Sequence, residues 1–224
     1  MRITGAGPVA WLAAALGRFN GRHPWNHNDL YAPWIASRLR EVGAREVLDI
    51  GCGTGNLIAR LRRDVAVTHG VEPDPAAARA ATERFVADPR VTVVNEPFTG
   101  RKTPRCDAIT AVAVLHHLPL VWAVREMRES LAPGGRLVIV GCYRDESVGD
   151  AVAGIASALL NPVIGMLMHP RRAASLPSSM RVPTVSPRET LAEIRAAVAA
   201  ELPGARVRRR LFWRYTVVYD APPR

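Results

Sequence analysis

The stretch Val47-Leu48-Asp49-Ile50-Gly51-Cys52-Gly53-Thr54-Gly55-Asn56 decides how this 224-residue chain folds. Its apolar start predicts a buried strand from Glu46 to Ile50. The glycines predict a tight turn that lets a ligand approach bare backbone, and Asn56 opens a helix reaching about Arg63. A second apolar strand, Asp64 to Val71, then delivers Glu72 in Gly70-Val71-Glu72-Pro73-Asp74, at the spacing of roughly twenty residues that sets a carboxylate beside the first turn to accept from both hydroxyls of a ribose. Turn and carboxylate together predict an adenosine-type cofactor.

The details of the turn select among such cofactors. A dinucleotide site wants G-x-G-x-x-G with the pyrophosphate on a helix N-terminus. Here the glycines are Gly51, Gly53 and Gly55, and Asn56 stands where the third dinucleotide glycine belongs. Asp49, at the tip of the strand, would repel a pyrophosphate but orient an ammonium. S-adenosylmethionine carries an ammonium and no phosphate. An NAD(P)-dependent oxidoreductase is the alternative, favoured only by the glycine turn and Glu72.

Working outward, apolar strand runs alternate with helical runs: a helix from Pro75 to Ala87, a strand from Val91 to Asn95, a strand from Asp107 to Val112, a helix from Leu120 to Leu131 and a strand from Arg136 to Cys142. Such alternation makes a parallel sheet covered on both faces, with ligands at the carboxyl ends of its strands. Cys106-Asp107-Ala108-Ile109-Thr110-Ala111-Val112-Ala113-Val114-Leu115-His116-His117-Leu118 and Leu131-Ala132-Pro133-Gly134-Gly135-Arg136-Leu137-Val138-Ile139-Val140 complete a set of four motifs in order. With them the chain resembles the class I S-adenosylmethionine-dependent methyltransferases of small-molecule type, firmly from Val42 to Gly141 and more loosely from Leu202 to Pro222. The resemblance implies a three-layer Rossmann-like α/β fold, with a mostly parallel seven-stranded sheet and an antiparallel final strand. One domain is expected over residues 1–224: an N-terminal helical lid (1–44), a cofactor-binding core (45–142), a helical insertion covering the acceptor (143–190), and a closing helix from Pro187 to Glu201 with a strand pair (191–224).

Composition bounds the partners. A net charge of +10 admits an anionic partner. The densest basic run, Arg206 to Arg214, alternates with Val207, Leu211 and Phe212 as a solvated sheet face would, and no aromatic-basic array argues for nucleic acid. A non-catalytic basic binding protein with a degenerate cofactor fold is the alternative from a different class. The three cysteines, Cys52, Cys106 and Cys142, fall on or beside strands without paired spacing, as in a reduced compartment. Pro8 to Leu16 is apolar but lacks a good cleavage site, which argues against a signal peptide and for a cytoplasmic protein. Val148 to Met168 is long enough to span a membrane, but Asp150, Asn161 and Pro162 interrupt it, so one or two apolar helices without stable membrane insertion are expected.

The cofactor-binding candidates are Asp49, Gly51, Gly53, Gly55, Glu72, Asn95 and Glu96. The last two stand where the family presents an acidic residue to the adenine amino group, although a Gly-Asp pair is more usual there. His116 and His117 follow the fourth strand at the ligand edge and could take a proton from a hydroxyl acceptor. Paired histidines there occur in the family across different acceptors, so pocket lining is the competing reading. His27, Asn28 and Tyr31 are candidate substrate-pocket residues on the N-terminal lid, with capping by Asn28 as its rival. No metal is expected, since no H-x-x-x-H or grouped carboxylates appear, and Met166-Leu167-Met168-His169 reads as core or pocket wall. Methyl transfer from a sulfonium needs alignment and exclusion of water, and a base only when the acceptor must lose a proton early. The apolar insertion points to an apolar or aromatic acceptor, polyketide-like, quinone-like or lipid-like. The lack of an Asn-Pro-Pro-Tyr or Asp-Pro-Pro-Tyr string at strand four favours oxygen or carbon over nitrogen.

Overall fold

A computed structural model describes residues 17, 19–100, 105–171 and 185–223. The apolar stretch Pro8 to Leu16, with most of the first predicted helix, and residues 172–184 of the insertion lie outside the described residues. A short 3-10 turn, Asp29–Tyr31, leads into α1 (Ala32–Arg40), and the predicted alternation follows: β1 (Glu46–Ile50), α2 (Asn56–Leu61), β2 (Val67–Val71), α3 (Pro75–Phe85), β3 (Val91–Val94) and β4 (Cys106–Val112). A 3-10 turn, Leu115–His117, precedes α4 (Leu120–Glu129), β5 (Leu131–Cys142), α5 (Val148–Met168), α6 (Leu191–Glu201), β6 (Arg206–Arg210) and β7 (Arg214–Asp220).

The strands form one sheet in the order β3-β2-β1-β4-β5-β7-β6. Pairings from β3 through β5 are parallel, and β7 runs antiparallel to both β5 and β6. The chain leaves β1 toward one edge and returns through β4 toward the other, so a crevice opens between their carboxyl ends. Side chains alternate across the sheet. Leu48, Ile50, Ile109, Leu137 and Ile139 pack with Val124 and Met127 of α4 and Ile194 and Val198 of α6. Val47, Ala108, Val138 and Val140 pack on the other face with Ile35 and Leu39 of α1 and Leu57 and Leu61 of α2. Both faces are therefore dry, which is why the inner strands read as continuous apolar runs.

Boundaries shift for identifiable reasons. β2 starts at Val67, not Asp64, because the Asp64 and Val65 amides donate back to the Leu61 carbonyl and close α2. β5 starts at Leu131, which pairs with Cys106 before a bulge spanning the Pro-Gly-Gly turn. α6 starts at Leu191, not Pro187, because Thr190 and Glu193 form a reciprocal capping box. Among the described residues the insertion contains one unbroken helix, α5, which runs through Pro162 and begins at a second capping box, Ser147 with Asp150. Arg144 and Thr190 bridge the two ends of the insertion.

Gly141 of β5 sits opposite Tyr215 of β7. A β-carbon there would overlap the Tyr215 ring, which is itself fully buried. Gly141→Ala should lower unfolding stability by about 1–3 kcal/mol through overpacking. Urea titration of the two proteins checks this, and unchanged stability would mean that the ring moves freely.

Candidate active site

The carboxyl ends of β1, β2 and β4 gather most of the predicted residues. Gly51, Gly53 and Gly55 all have positive φ, at 66°, 54° and 78°, the left-handed region that side chains resist. They do different work. A β-carbon on Gly51 would collide with Val114, and one on Gly55 with Phe85, whereas one on Gly53 would meet nothing within 4 Å. Gly51 and Gly55 thus let the turn close against the protein, and Gly53 leaves its open side bare.

Glu72, buried at the end of β2, spans the turn. One carboxylate oxygen accepts the Gly53 amide at 2.8 Å and the other accepts the Asp74 amide at 2.9 Å. Asn95 follows β3 and donates its side-chain amide to the carbonyls of Glu72 and Pro73 at 2.8 and 3.1 Å, bracing the segment that carries Glu72. Glu96 is exposed beside it.

Asp49 is 2 % exposed and lies in the sheet with Thr110, whose hydroxyl donates to its carboxylate at 2.7 Å. Burial pushes the Asp49 carboxyl up to about 7, the Thr110 hydrogen bond opposes this, and the nearby charge of Glu72 adds to it. A buried carboxyl poised near neutrality beside a second carboxylate suits a site that receives a cation. Burial likewise raises Cys52, Cys106 and Cys142 above an ordinary thiol, so none has the character of a nucleophile.

After β4 the chain passes through Ala113, a non-glycine residue at φ 56°, and this strained step delivers His116 and His117 to the same edge. Their rings lie 4.2 Å apart, His117 outermost and exposed. Among the described residues, the His116 Nδ1 atom is buried with no hydrogen-bond partner. Burial pulls His116 down to about 4, with His117 and Arg214 adding repulsion, so this ring is neutral at physiological pH.

Residues 27–31 sit between the glycine turn and the β6–β7 turn. Burial raises the Asp29 carboxyl, and a hydrogen bond to Asn56 and the charge of Arg84 oppose this. Arg84 in turn donates to the Thr54 carbonyl at 3.2 Å and to Asn56 at 2.8 Å. His27 donates to Asn161 of α5 at 2.9 Å and stacks on Phe212. Asn28 accepts from Arg214 at 3.2 Å, and the Tyr31 hydroxyl donates to the Leu211 carbonyl at 2.9 Å. No side-chain cap is formed by Asn28. His27, Asn28 and Tyr31 thus share one junction with the start of β7, while their neighbour Asp29 reaches the glycine turn.

Thr110, Asn161 and Arg214 join the candidate residues by hydrogen bonds, to Asp49, His27 and Asn28, that sequence reasoning missed. Arg214 is the instructive one: the basic run placed it on a solvated sheet face, but it begins β7 opposite Cys142, at the ligand edge, and its charge is felt by His27 and His116. Register against Cys142, not composition, carries that signal. β6 fits the solvated reading better, as an edge strand whose Arg210 guanidinium covers the Trp34 ring.

Unfolded, the Asp49 carboxyl titrates near 3.8, and folded near 7. The native state therefore loses stability as pH rises from about 4 to 7, after which the cost is constant. Asp49→Asn keeps the shape and removes the charge. It should match wild type below pH 4 and exceed it at pH 8 by about 4 kcal/mol, read by urea unfolding at both pH values. Equal stability at pH 8 would show that this carboxyl ionises without strain.

A methyltransferase-domain family profile matches residues 48–137, from β1 into β5. An uncharacterized methyltransferase of Mycobacterium tuberculosis is 31 % identical over 205 residues, covering 89 % of this chain and 98 % of that protein. The ubiquinone biosynthesis O-methyltransferase of Alkalilimnicola ehrlichii is 31 % identical over 118 residues, 50 % of this chain and 47 % of that one. In fold, the chain is similar to magnesium protoporphyrin IX methyltransferase of Synechocystis, solved with bound S-adenosylmethionine, with a TM-score of 0.57 and 13 % identity over 93 % of this chain and 91 % of that one. These similarities decide against the oxidoreductase alternative. With the strand order, the glycine turn and Glu72 in place, the chain belongs to the class I S-adenosylmethionine-dependent methyltransferases.

Proposed function

We propose that this protein methylates a small apolar or aromatic molecule, at oxygen or carbon, with Asp49, Gly51, Gly53, Gly55, Glu72, Asn95 and Glu96 forming the cofactor seat. The residues fit the group chemically. Gly53 offers open backbone, with no atom within 4 Å of where a β-carbon would stand, the Glu72 carboxylate can exchange its amide partners for ribose hydroxyls, and Asp49 can face an ammonium. S-adenosylmethionine supplies a methyl group already activated on a sulfonium, so the protein's part is alignment and exclusion of water.

One observation carries the acceptor reading: a neutral, unpartnered imidazole nitrogen on His116 at the ligand edge. Held near 4, it is too weak a base to remove a hydroxyl proton in advance. It can accept that proton as the bond to the methyl forms, which suits a phenol or enol oxygen. His117, exposed and tilted against it, would line the mouth. His27, Asn28 and Tyr31 would wall the pocket on the lid side, with Arg214 holding Asn28 in place. The similarity to proteins named for ubiquinone biosynthesis and for magnesium protoporphyrin IX supports a ring-bearing acceptor.

Calorimetric titration should give micromolar binding of S-adenosylmethionine and S-adenosylhomocysteine, none of NAD, and at least a tenfold loss in Glu72→Ala. Silence toward both ligands from a folded protein would remove the seat. Radiolabelled methyl should pass to hydroxylated aromatic or quinone-like compounds; label entering only nucleic acid or protein would reject a small acceptor. With such a compound in hand, His116→Ala should lower kcat by roughly 10²–10⁴ while leaving cofactor affinity unchanged. At saturating cofactor the wild-type kcat should stay flat from pH 8 down to about 5, because His116 protonates only near 4. A limb near 6.5 would assign the proton to another group.

A further inference from the structure

α5 is built inside out. Its inward residues are polar or small: Asp150 pairs with Arg209 at 2.9 Å, the Ser157 hydroxyl accepts the Phe212 amide at 2.7 Å, Asn161 accepts from Trp25 and His27, and Gly165 lies against the His23 carbonyl. They recur at spacings of seven, four and four residues, one face of the helix. The opposite face is apolar and open. Val152, Ile155, Leu159 and Leu167 are 62 %, 63 %, 67 % and 72 % exposed, and Val148, Val163 and Met166 extend the same stripe. Only 11 % of the helix's most apolar window is buried, so it is not a core helix.

This is the reverse of a water-facing helix, which turns its apolar stripe to the core, and it matches the arrangement in lipid, where polar groups face protein and apolar ones face hydrocarbon. The neighbourhood continues the pattern. Leu211 and Trp213, on the β6–β7 turn, are themselves exposed, with the Trp213 indole beside Gly154, and tryptophan suits the boundary between headgroups and acyl chains. Exposed cations stand at the helix's far end: Arg171 follows it, and Arg22 is in the segment whose His23 donates to the His169 carbonyl at 2.7 Å.

From this geometry we infer that α5, with Leu211 and Trp213, docks the protein on a bilayer surface bearing anionic lipid. The helix lies in the interface with its apolar stripe in the acyl boundary. At 21 residues it is about 32 Å long, enough to span, but its polar face is held to the protein along the whole length, so it lies on the membrane and does not cross it. Charge chooses this occupant over a second copy: two chains of +10 each repel, whereas anionic headgroups attract.

The test is flotation of the full chain with vesicles of phosphatidylcholine alone and with one quarter phosphatidylglycerol. It needs no cofactor, so its outcome is separate from that of the methylation assays. The protein should float with the anionic vesicles several-fold more than with the neutral ones. Ile155→Glu combined with Leu159→Glu should reduce this at least tenfold while leaving the melting temperature unchanged, since both residues are exposed. Val86→Glu, the same kind of apolar-to-acidic change at an 83 % exposed site elsewhere, should float like wild type. Flotation that survives the double substitution would overturn the proposal. So would absence of flotation, whether light scattering then finds a dimer that the double substitution abolishes, giving the face to a second copy, or a monomer, giving it to the chain's own apolar residues 8–16.

Discussion

Glu72 holds the ligand edge together. In the turn with three glycines in left-handed backbone, the Gly51 and Cys52 amides donate to the Val71 carbonyl and the Gly55 amide to the Cys52 carbonyl; the carboxylate at the end of β2 takes the remaining glycine amide, that of Gly53, and the Asp74 amide at once. That pair of hydrogen bonds ties the β1 turn to the start of α3. It also sets a full negative charge near Asp49, whose burial already disfavours ionisation. The edge is therefore organised around excess negative potential, with Arg214 and Arg84 at its margins and not within it. Such a field favours a cationic donor over a phosphate-bearing one.

Much of this was legible in the sequence because it is local. A strand, a glycine turn and a helix follow one another within Val47 to Asn56, and the carboxylate comes at the end of the very next strand. The order of the four motifs implies the sheet, and β7 is the antiparallel strand expected near the end of the chain. Helix termini were less legible where a cap competes with propensity: Pro187 and Arg188 belong to the approach, and Thr190 decides the start of α6. Asp49 was read as a charged anchor, yet its ionisation depends on Thr110 and on burial, neither visible from its neighbours in sequence.

What stayed hidden is what the topology brings together from afar. Arg214 and Asn28 lie 186 residues apart and share a hydrogen bond; Trp25 and Asn161 are separated by 136. Composition assigned the first to a solvated arginine run and the second to an interruption in an apolar stretch. Only the pairing of β7 with β5, and the inverted face of α5, show that both residues serve the same junction. The β6–β7 turn at its centre places Phe212 and Trp213 at φ 60° and 55°, a conformation costing of order 1–2 kcal/mol per residue. The Ser157 hydroxyl, bonded to the Phe212 amide, helps to hold it.

The three glycines of the turn answer to two different masters. Gly51 and Gly55 are required by Val114 and Phe85, whereas no neighbour crowds Gly53. A lineage that abandoned the chemistry while keeping the scaffold would therefore drift at position 53 first, and hold glycine at 51 and 55. At position 53 a side chain would meet only the strain of its own backbone, of order 1–2 kcal/mol; at 51 and 55 it would meet that strain and a neighbour as well.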